Sequence, residues 1–406
     1  MNGARLPLEG VRVIDLSRVL AGPVCGALLG DMGADVIKVE DVEGGDESRH
    51  WAPQREGHSP VYVANNRNKR SIAVDLKAPE GRDIVAALID TADVLIENFG
   101  TGTMERLGLG YDALAARNPR LIYCSIAAFG RQGPRAGEAG YEALMQAFSG
   151  VMAITGEPGR PPVRCGVSAL DIFTGTLAGF AVSNAILMRQ TSGVGQRLDA
   201  SLFDSAVGLL NFQAQNYLLC GQKPAPMGSA HPSLVPYQCF LCHDNRWIFV
   251  AAGNDRLWRR LATAIGQPEL ADDPRFLRNI DRVAHRRELL KLLDGRFASL
   301  PLDDALQRCR QAGVPATPVN SVAQALDDPQ AAQLAALRPM THPDLGDIEV
   351  VGLPVAFSAI PAMPCAPAPA HGADTQAILR TVGMDGDTYE ALRLRRVVKG
   401  PPRDGI

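Results

Sequence analysis

The sequence predicts an α/β protein in which a parallel sheet covered on both faces is joined to a smaller α+β unit. Two observations carry this. The first third alternates short β-branched runs with amphipathic helical patterns, the signature of βαβ units, and a Gly- and Pro-rich break at 221–232 (GQKPAPMGSAHP) separates that pattern from a shorter, mixed one.

In order, residues 11–16 read as a strand, 24–32 as a helix, 35–39 as a strand, 84–91 as a helix, and 93–97 and 121–126 as strands. The segment FGRQGPRAGEAG (129–140) follows, where four glycines and Pro134 forbid a regular element and let backbone approach a ligand closely. An extended stretch at 161–167 leads into an apolar helical run, 172–188, and a second helical run spans 202–219. Past the break, 237–242 and 247–252 read as strands and 255–265, 281–298 and 302–312 as helices. A Pro-rich extended return at 354–369 precedes a last helix at 374–382, and no internal repeat is visible.

Composition narrows the function. A chain of 406 residues has ample core for two to three domains, with 46% hydrophobic and 21% charged residues. Lys plus Arg (41) nearly balance Asp plus Glu (44), giving a net charge of -3 with no long basic run, so nucleic acid is not an expected partner. MNGARLPLEG has no apolar h-region, and the longest apolar helix candidate, 177–188, is interrupted by Gly179, Ser183 and Asn184, so a cytoplasmic protein off the membrane is expected. Eight scattered cysteines fit a reduced compartment. Cys239 and Cys242 form a CxxC without a second pair or His cluster, and read as core cysteines; no metal site is expected. A nicotinamide enzyme is disfavoured because SRVLAGPVCGALLGDMGADVIKVE, after the first strand, lacks GxGxxG.

Asp171 opens the run 172–188 directly after an extended stretch. As helix N-cap it would sit among free backbone N–H groups at the positive end of the helix dipole, a position that keeps a carboxylate ionised. An Asp there is commonly just a cap; it is also where a carboxylate nucleophile could be held.

Six ordered segments carry a resemblance: AGPVCGALLGDMGADVIKVE (21–40), RNKRSIAVDLKAPEGR (67–82), ADVLIENF with MERLGLGY (92–111), NPRLIYCSIAAFGRQGP (118–134), GYEALMQAFSGVMAITGEPGRPPVRCGVSALDIFTG (140–175) and SGVGQRLDASLFD (192–204). Together with AAGNDRLWRRL (251–261) and VGLPVAFSAIP (351–361), they resemble the class III CoA-transferases, the formyl-CoA and carnitine (CaiB/BaiF) CoA-transferase family, over nearly the whole chain.

The resemblance implies a Rossmann-like large domain over 1–200, a crossover at 201–232, a small α+β domain at 233–325, and a return linker with the rest of the large domain at 326–406. It also implies an interlocked homodimer. Asp171 falls on the family's nucleophilic aspartate, which takes the acyl group of an acyl-CoA as a mixed anhydride; CoA thiolate then attacks to give an aspartyl-CoA thioester, and the acceptor acid reverses the sequence. CoA is thus a co-substrate, with no tightly bound cofactor, and the partners are an acyl-CoA and a small carboxylic acid.

Val19 and Ala21 match positions lining the adenine and pantetheine path, and Lys77, Asn98, Phe99 and Arg106 match others near the nucleotide. Arg67, Lys69 and Arg70 read either as phosphate contacts or as a solvated charged edge. Asp41 stands where some relatives carry an arginine, which removes or relocates one phosphate contact. The related α-methylacyl-CoA racemases have His-Asp where this chain has Tyr141-Glu142. Tyr is a poor base at neutral pH, so transfer is favoured over epimerisation; a non-catalytic CoA-binding protein is the further alternative. Glu142 matches a carboxylate that positions the acyl group, or serves as a structural loop acceptor. His231 sits about where the family has a mobile lid, or is an ordinary loop histidine. The segment GSAHPSLVPYQ (228–238) is most like members acting on dicarboxylates such as succinate or glutarate.

Overall fold

The computed structural model describes residues 5–360 and 363–402. They fall into two compact units: one from 5–151, 165–219 and the described part of 333–402, the other from 152–164 and 220–332. Residues 152–164, read from sequence as part of the large domain, pack with the second unit.

The first unit holds strands β1 (Arg12–Asp15), β2 (Asp35–Glu40), β3 (Lys69–Val74), β4 (Val94–Glu97), β5 (Ile122–Ala127) and β6 (Gln196–Ser201). Its helices include α1 (Ala21–Asp31), α2 (Pro60–Asn65), α3 (Pro79–Asp90), α4 (Thr103–Arg106), α5 (Tyr111–Arg117), α6 (Glu142–Ser149), α7 (Ala169–Ser192) and α8 (Leu202–Cys220). The sheet runs in the order β3-β2-β1-β4-β5-β6, all parallel, with a short seventh strand (Val398–Lys399) antiparallel on β3. That is the doubly wound order, with its reversal between β1 and β4.

Period-2 alternation sends neighbouring strand residues to opposite faces. Val13, Val36, Val94, Ile96 and Ile122 pack under α1 and α7; Ile14, Ile37, Ile72, Leu95 and Tyr123 pack under α3 and helices Thr375–Arg380 and Gly386–Leu394. Each fully buried aliphatic side chain contributes roughly 1.5–3 kcal/mol. Helix α7 is long and apolar enough to cross a membrane, yet its Ala178, Val182 and Ala185 belong to this core. Gly175 lets α7 approach α1 closely, since a Cβ there would lie 2.4 Å from the Ala21 carbonyl oxygen.

Several elements differ from the sequence reading. β3 was not legible because KRSIAV opens on two cations. The 202–219 run is not one straight helix: Asn211 (φ 41, ψ -116) breaks α8. Helix Thr375–Arg380 is not the last, being followed by Gly386–Leu394.

In the second unit an antiparallel sheet of Tyr237–Leu241, Trp247–Ala251 and Ala316–Pro318 packs with helices on a core of Phe240, Ile248, Val250, Trp258, Leu261 and Phe297. The helix read at 281–298 is two helices, Asn279–Ala284 and Arg286–Phe297, divided at His285 (ψ 26). Cys239 is half-buried and Cys242 buried, both as free thiols.

Candidate active site

Ligands of doubly wound sheets bind beyond the carboxyl ends of the strands where the order reverses. A cavity of about 440 Å³ lies there, wholly within the first unit. Its wall comes from the exit of β1 (Arg18, Val19, Leu20, Ala21), the exit of β4 (Asn98, Phe99, Gly100, Thr101), the end of β5 (Ile126, Ala127, Ala128) and the loop 129–140 with Tyr141, Glu142 and Asp171. The glycine-bearing segment is the irregular loop its composition predicts, and Gly140 packs where a Cβ would meet Ala128 Cβ at 2.7 Å.

Seven of the nine residues expected at the site therefore share one cavity: Val19, Ala21, Asn98, Phe99, Tyr141, Glu142 and Asp171. Lys77 and Arg106 do not line it; both are exposed, and Arg106 Nη2 donates to Thr103 Oγ1 at 2.8 Å. The amide of Asn98 is occupied by the neighbouring strand exit, accepting from Arg18 N–H and donating to Arg18 O, both at 2.8 Å.

Asp171 is not the N-cap but the third residue of α7, with Ser168 in the cap position. Nor does it keep an ordinary carboxylate pKa. Burial first, and the charge of Glu142 second, push it up to about 7. A helix N-terminus favours an anion by at most about 2 kcal/mol, whereas a shift from 3.8 to about 7 corresponds to roughly 4 kcal/mol. Desolvation wins. The result is a half-buried carboxylate at the cavity wall that is more basic than usual and correspondingly nucleophilic in its ionised form.

Glu142 is itself buried at the start of α6. Its Oε1 accepts from Gln146 Nε2 at 2.5 Å and from Leu170 N–H at 3.5 Å, while Gln146 Oε1 accepts from Cys165 N–H at 2.9 Å. This chain ties the first turn of α6 to the entry of α7 and holds the two carboxylates near each other.

Arg67 and Lys69 are not on a solvated edge but in the interior, while Arg70 and its partner are about a third exposed. Arg67 pairs with Asp31 at 2.5 Å, Lys69 with Asp15 at 2.9 Å and Arg70 with Asp35 at 2.7 Å, and the first two pairs are buried. The cations that do line the cavity were not singled out from sequence: Arg18, whose guanidinium lies 4.9 Å from the Phe99 ring centre, and Arg131, ion-paired to Glu97 at 2.6 Å. Arg131 stands inside FGRQGP, so the loop itself was the available signal. Asp41 accepts from Glu43 and Gly44 N–H in a turn. His231 belongs to the second unit, where its Nδ1 accepts from Ser233 N–H at 3.0 Å.

Among the described residues, His58, His342 and Asp344 are the group able to hold a metal ion, and none of them lines the cavity. They already satisfy one another: His58 Nε2 pairs with Asp344 Oδ2 at 2.9 Å, and His342 Nδ1 accepts from Asp344 N–H at 3.2 Å.

A carboxylate at the switch point of a doubly wound sheet stands where such folds bind their ligands and where it could attack a bound electrophile. Residues 8–375 match the model of CoA-transferase family III, and the chain belongs to that family: it is a family III CoA-transferase, an enzyme class that uses CoA as co-substrate. It is 44% identical over 337 residues to a succinate–glutarate CoA-transferase of Agrobacterium fabrum, covering 81% of this chain and 84% of that one. It is 40% identical over 384 residues to the human succinyl-CoA:glutarate CoA-transferase, covering 94% and 87%. A CAIB/BAIF family protein of Brucella suis has the same fold, with a TM-score of 0.83 at 41% identity over 93% of this chain and all of that one.

Proposed function

We propose that this enzyme moves CoA from a succinyl-type thioester to a dicarboxylic acid acceptor, with Asp171 as the nucleophile. The observation that carries the mechanism is the half-buried Asp171 carboxylate, raised to about 7 beside Glu142 in a cavity at the sheet's switch point. Ionised Asp171 attacks the thioester carbonyl, the C–S bond breaks, and CoA leaves as thiolate with an acyl-aspartyl anhydride remaining. The thiolate then attacks the aspartyl carbonyl of the anhydride, releasing the donor acid as carboxylate and leaving aspartyl-CoA. The acceptor carboxylate runs both steps in reverse, so the thioester is conserved provided water stays out. Backbone N–H groups of loop 129–140 serve the oxyanions, Val19, Ala21 and Phe99 line the CoA arm, and Glu142 positions the acyl group.

The dicarboxylate class is supported by the relatives named for succinate and glutarate, and by Arg18, stacked on Phe99, as a cation offered to an anionic substrate. Purified protein incubated in heavy water with succinyl-CoA and a panel of carboxylic acids should form the CoA ester of a dicarboxylate, read by liquid chromatography with mass detection. A 2-methylacyl-CoA in the same solvent should keep its α-proton. Absence of any ester exchange, or deuterium uptake that needs Asp171, would replace transfer by another reaction.

A homodimer working in the cytoplasm completes the proposal. Ile172, Phe180, Leu187 and Met188 of α7 and Phe212, Tyr217, Leu218 and Leu219 of α8 are exposed in the single chain, with Leu219 80% and Leu218 69% accessible. So much apolar surface on two helices is what a subunit interface covers, and the eight free cysteines fit a reducing compartment. Sedimentation should give a dimer down to nanomolar protein; a folded monomer at that concentration would contradict an interlocked assembly.

A further inference from the structure

Below the cavity wall formed by Val19 lies a buried charge pair that the reaction scheme does not use. Val19 has φ 70, a left-handed conformation that a β-branched side chain strongly resists. Its backbone N–H donates to the Asp46 carboxylate, at 3.3 Å to Oδ1 and 3.2 Å to Oδ2. Asp46 also accepts from Ser48 N–H at 2.9 Å and Ser48 Oγ at 2.7 Å, which fixes the short helix Glu47–His50. Lys38, with a fully buried side chain, pairs with Asp46 at 2.9 Å and donates to Ser17 O at 2.9 Å. One carboxylate thus ties together the turn after β1, the helix that brings Glu47 to the cavity and the buried end of β2.

We propose that Asp46, anchored by Lys38, is a positioning residue for acyl-CoA: it holds Val19 in the left-handed turn and so fixes the wall formed by Val19, Leu20 and Ala21. This rests on the reading of the cavity as the CoA site. A buried ion pair seldom adds net stability over an apolar substitute, and a strained residue persists only where its surroundings over-determine it. Both features meet at one hydrogen bond at the rim of the cavity. The strain also supplies the test, because glycine adopts positive φ without cost.

The experiment is a double-mutant cycle of Asp46→Asn and Val19→Gly, read as KM for acyl-CoA, KM for the acid acceptor, kcat and melting temperature. Asp46→Asn should raise the acyl-CoA KM about tenfold while kcat and the acceptor KM change little. Val19→Gly should recover most of that loss in the Asp46→Asn background, because the turn no longer needs holding. If neither Asp46→Asn nor Asp46→Ala, which removes every side-chain acceptor from Val19 N–H, raises the acyl-CoA KM, or if the two effects simply add, Asp46 does not act through Val19. Should Asp46→Asn unfold the chain by leaving Lys38 uncompensated, the pair Lys38→Met with Asp46→Asn removes both charges and carries the same cycle. Failure of wild-type protein to bind acyl-CoA would instead overturn the site reading itself.

Discussion

Asp171→Asn is expected to lower the rate of CoA transfer at least roughly 10³-fold, about 4 kcal/mol of barrier. The substitution preserves size and the position in the first turn of α7 but removes the negative charge that attacks the thioester. Binding should survive, because the cavity wall from the exits of β1 and β4 is untouched. The predicted pattern is therefore a collapsed kcat with an acyl-CoA affinity near that of the wild type, measured by initial rates and by calorimetry. Near-native turnover would remove Asp171 from the chemistry.

The same substitution should stabilise the protein, increasingly so at higher pH. Asp171 titrates at about 7 in the folded chain against 3.8 in the unfolded one, so the folded state holds its proton more tightly and ionisation opposes folding. Below about pH 4 the carboxylate is protonated in both states and the penalty is absent; it grows between the two pKa values and is complete above about 7. At pH 8 the neutral amide avoids up to about 4 kcal/mol. Urea unfolding of both proteins at pH 5 and pH 8 should show a stability gain for Asp171→Asn that is clearly larger at pH 8. An equal or smaller gain at pH 8 would mean that the carboxylate is not held in the unfavourable environment described. A residue that is costly to fold and needed for turnover is a common trade between stability and function.

The sheet was legible because buried strands with β-branched residues and amphipathic helices announce themselves by period. β1, β2, β4 and β5 were read within a residue or so, as was the C-terminal half of α3, while α1 begins three residues earlier than read. What escaped was decided by distant partners. Arg67 and Lys69 read as surface or phosphate-binding cations until Asp31 and Asp15, far away in sequence, were found to neutralise them in the interior. The strand Val398–Lys399 is two residues long and exists through its pairing with β3. Asp171 was found by its place after an extended stretch and by family resemblance, but the position of the cap and the direction of its pKa depend on burial and on Glu142, which spacing does not reveal. Arg18 and Arg131 were passed over because an isolated arginine in a loop carries no period. The Lys38–Asp46 pair was invisible for the same reason, since nothing in VIKVE or GGDES announces that they meet.

The central claim is that Asp171 becomes acylated during turnover, and trapping that intermediate tests it most directly. Wild-type protein incubated with succinyl-CoA and quenched with hydroxylamine or borohydride should yield a modified peptide containing Asp171, with the mass of a hydroxamate or of the reduced alcohol. The Asp171→Asn protein should give none. An unmodified Asp171 peptide in samples where CoA transfer is proceeding would contradict the proposed mechanism at its first step.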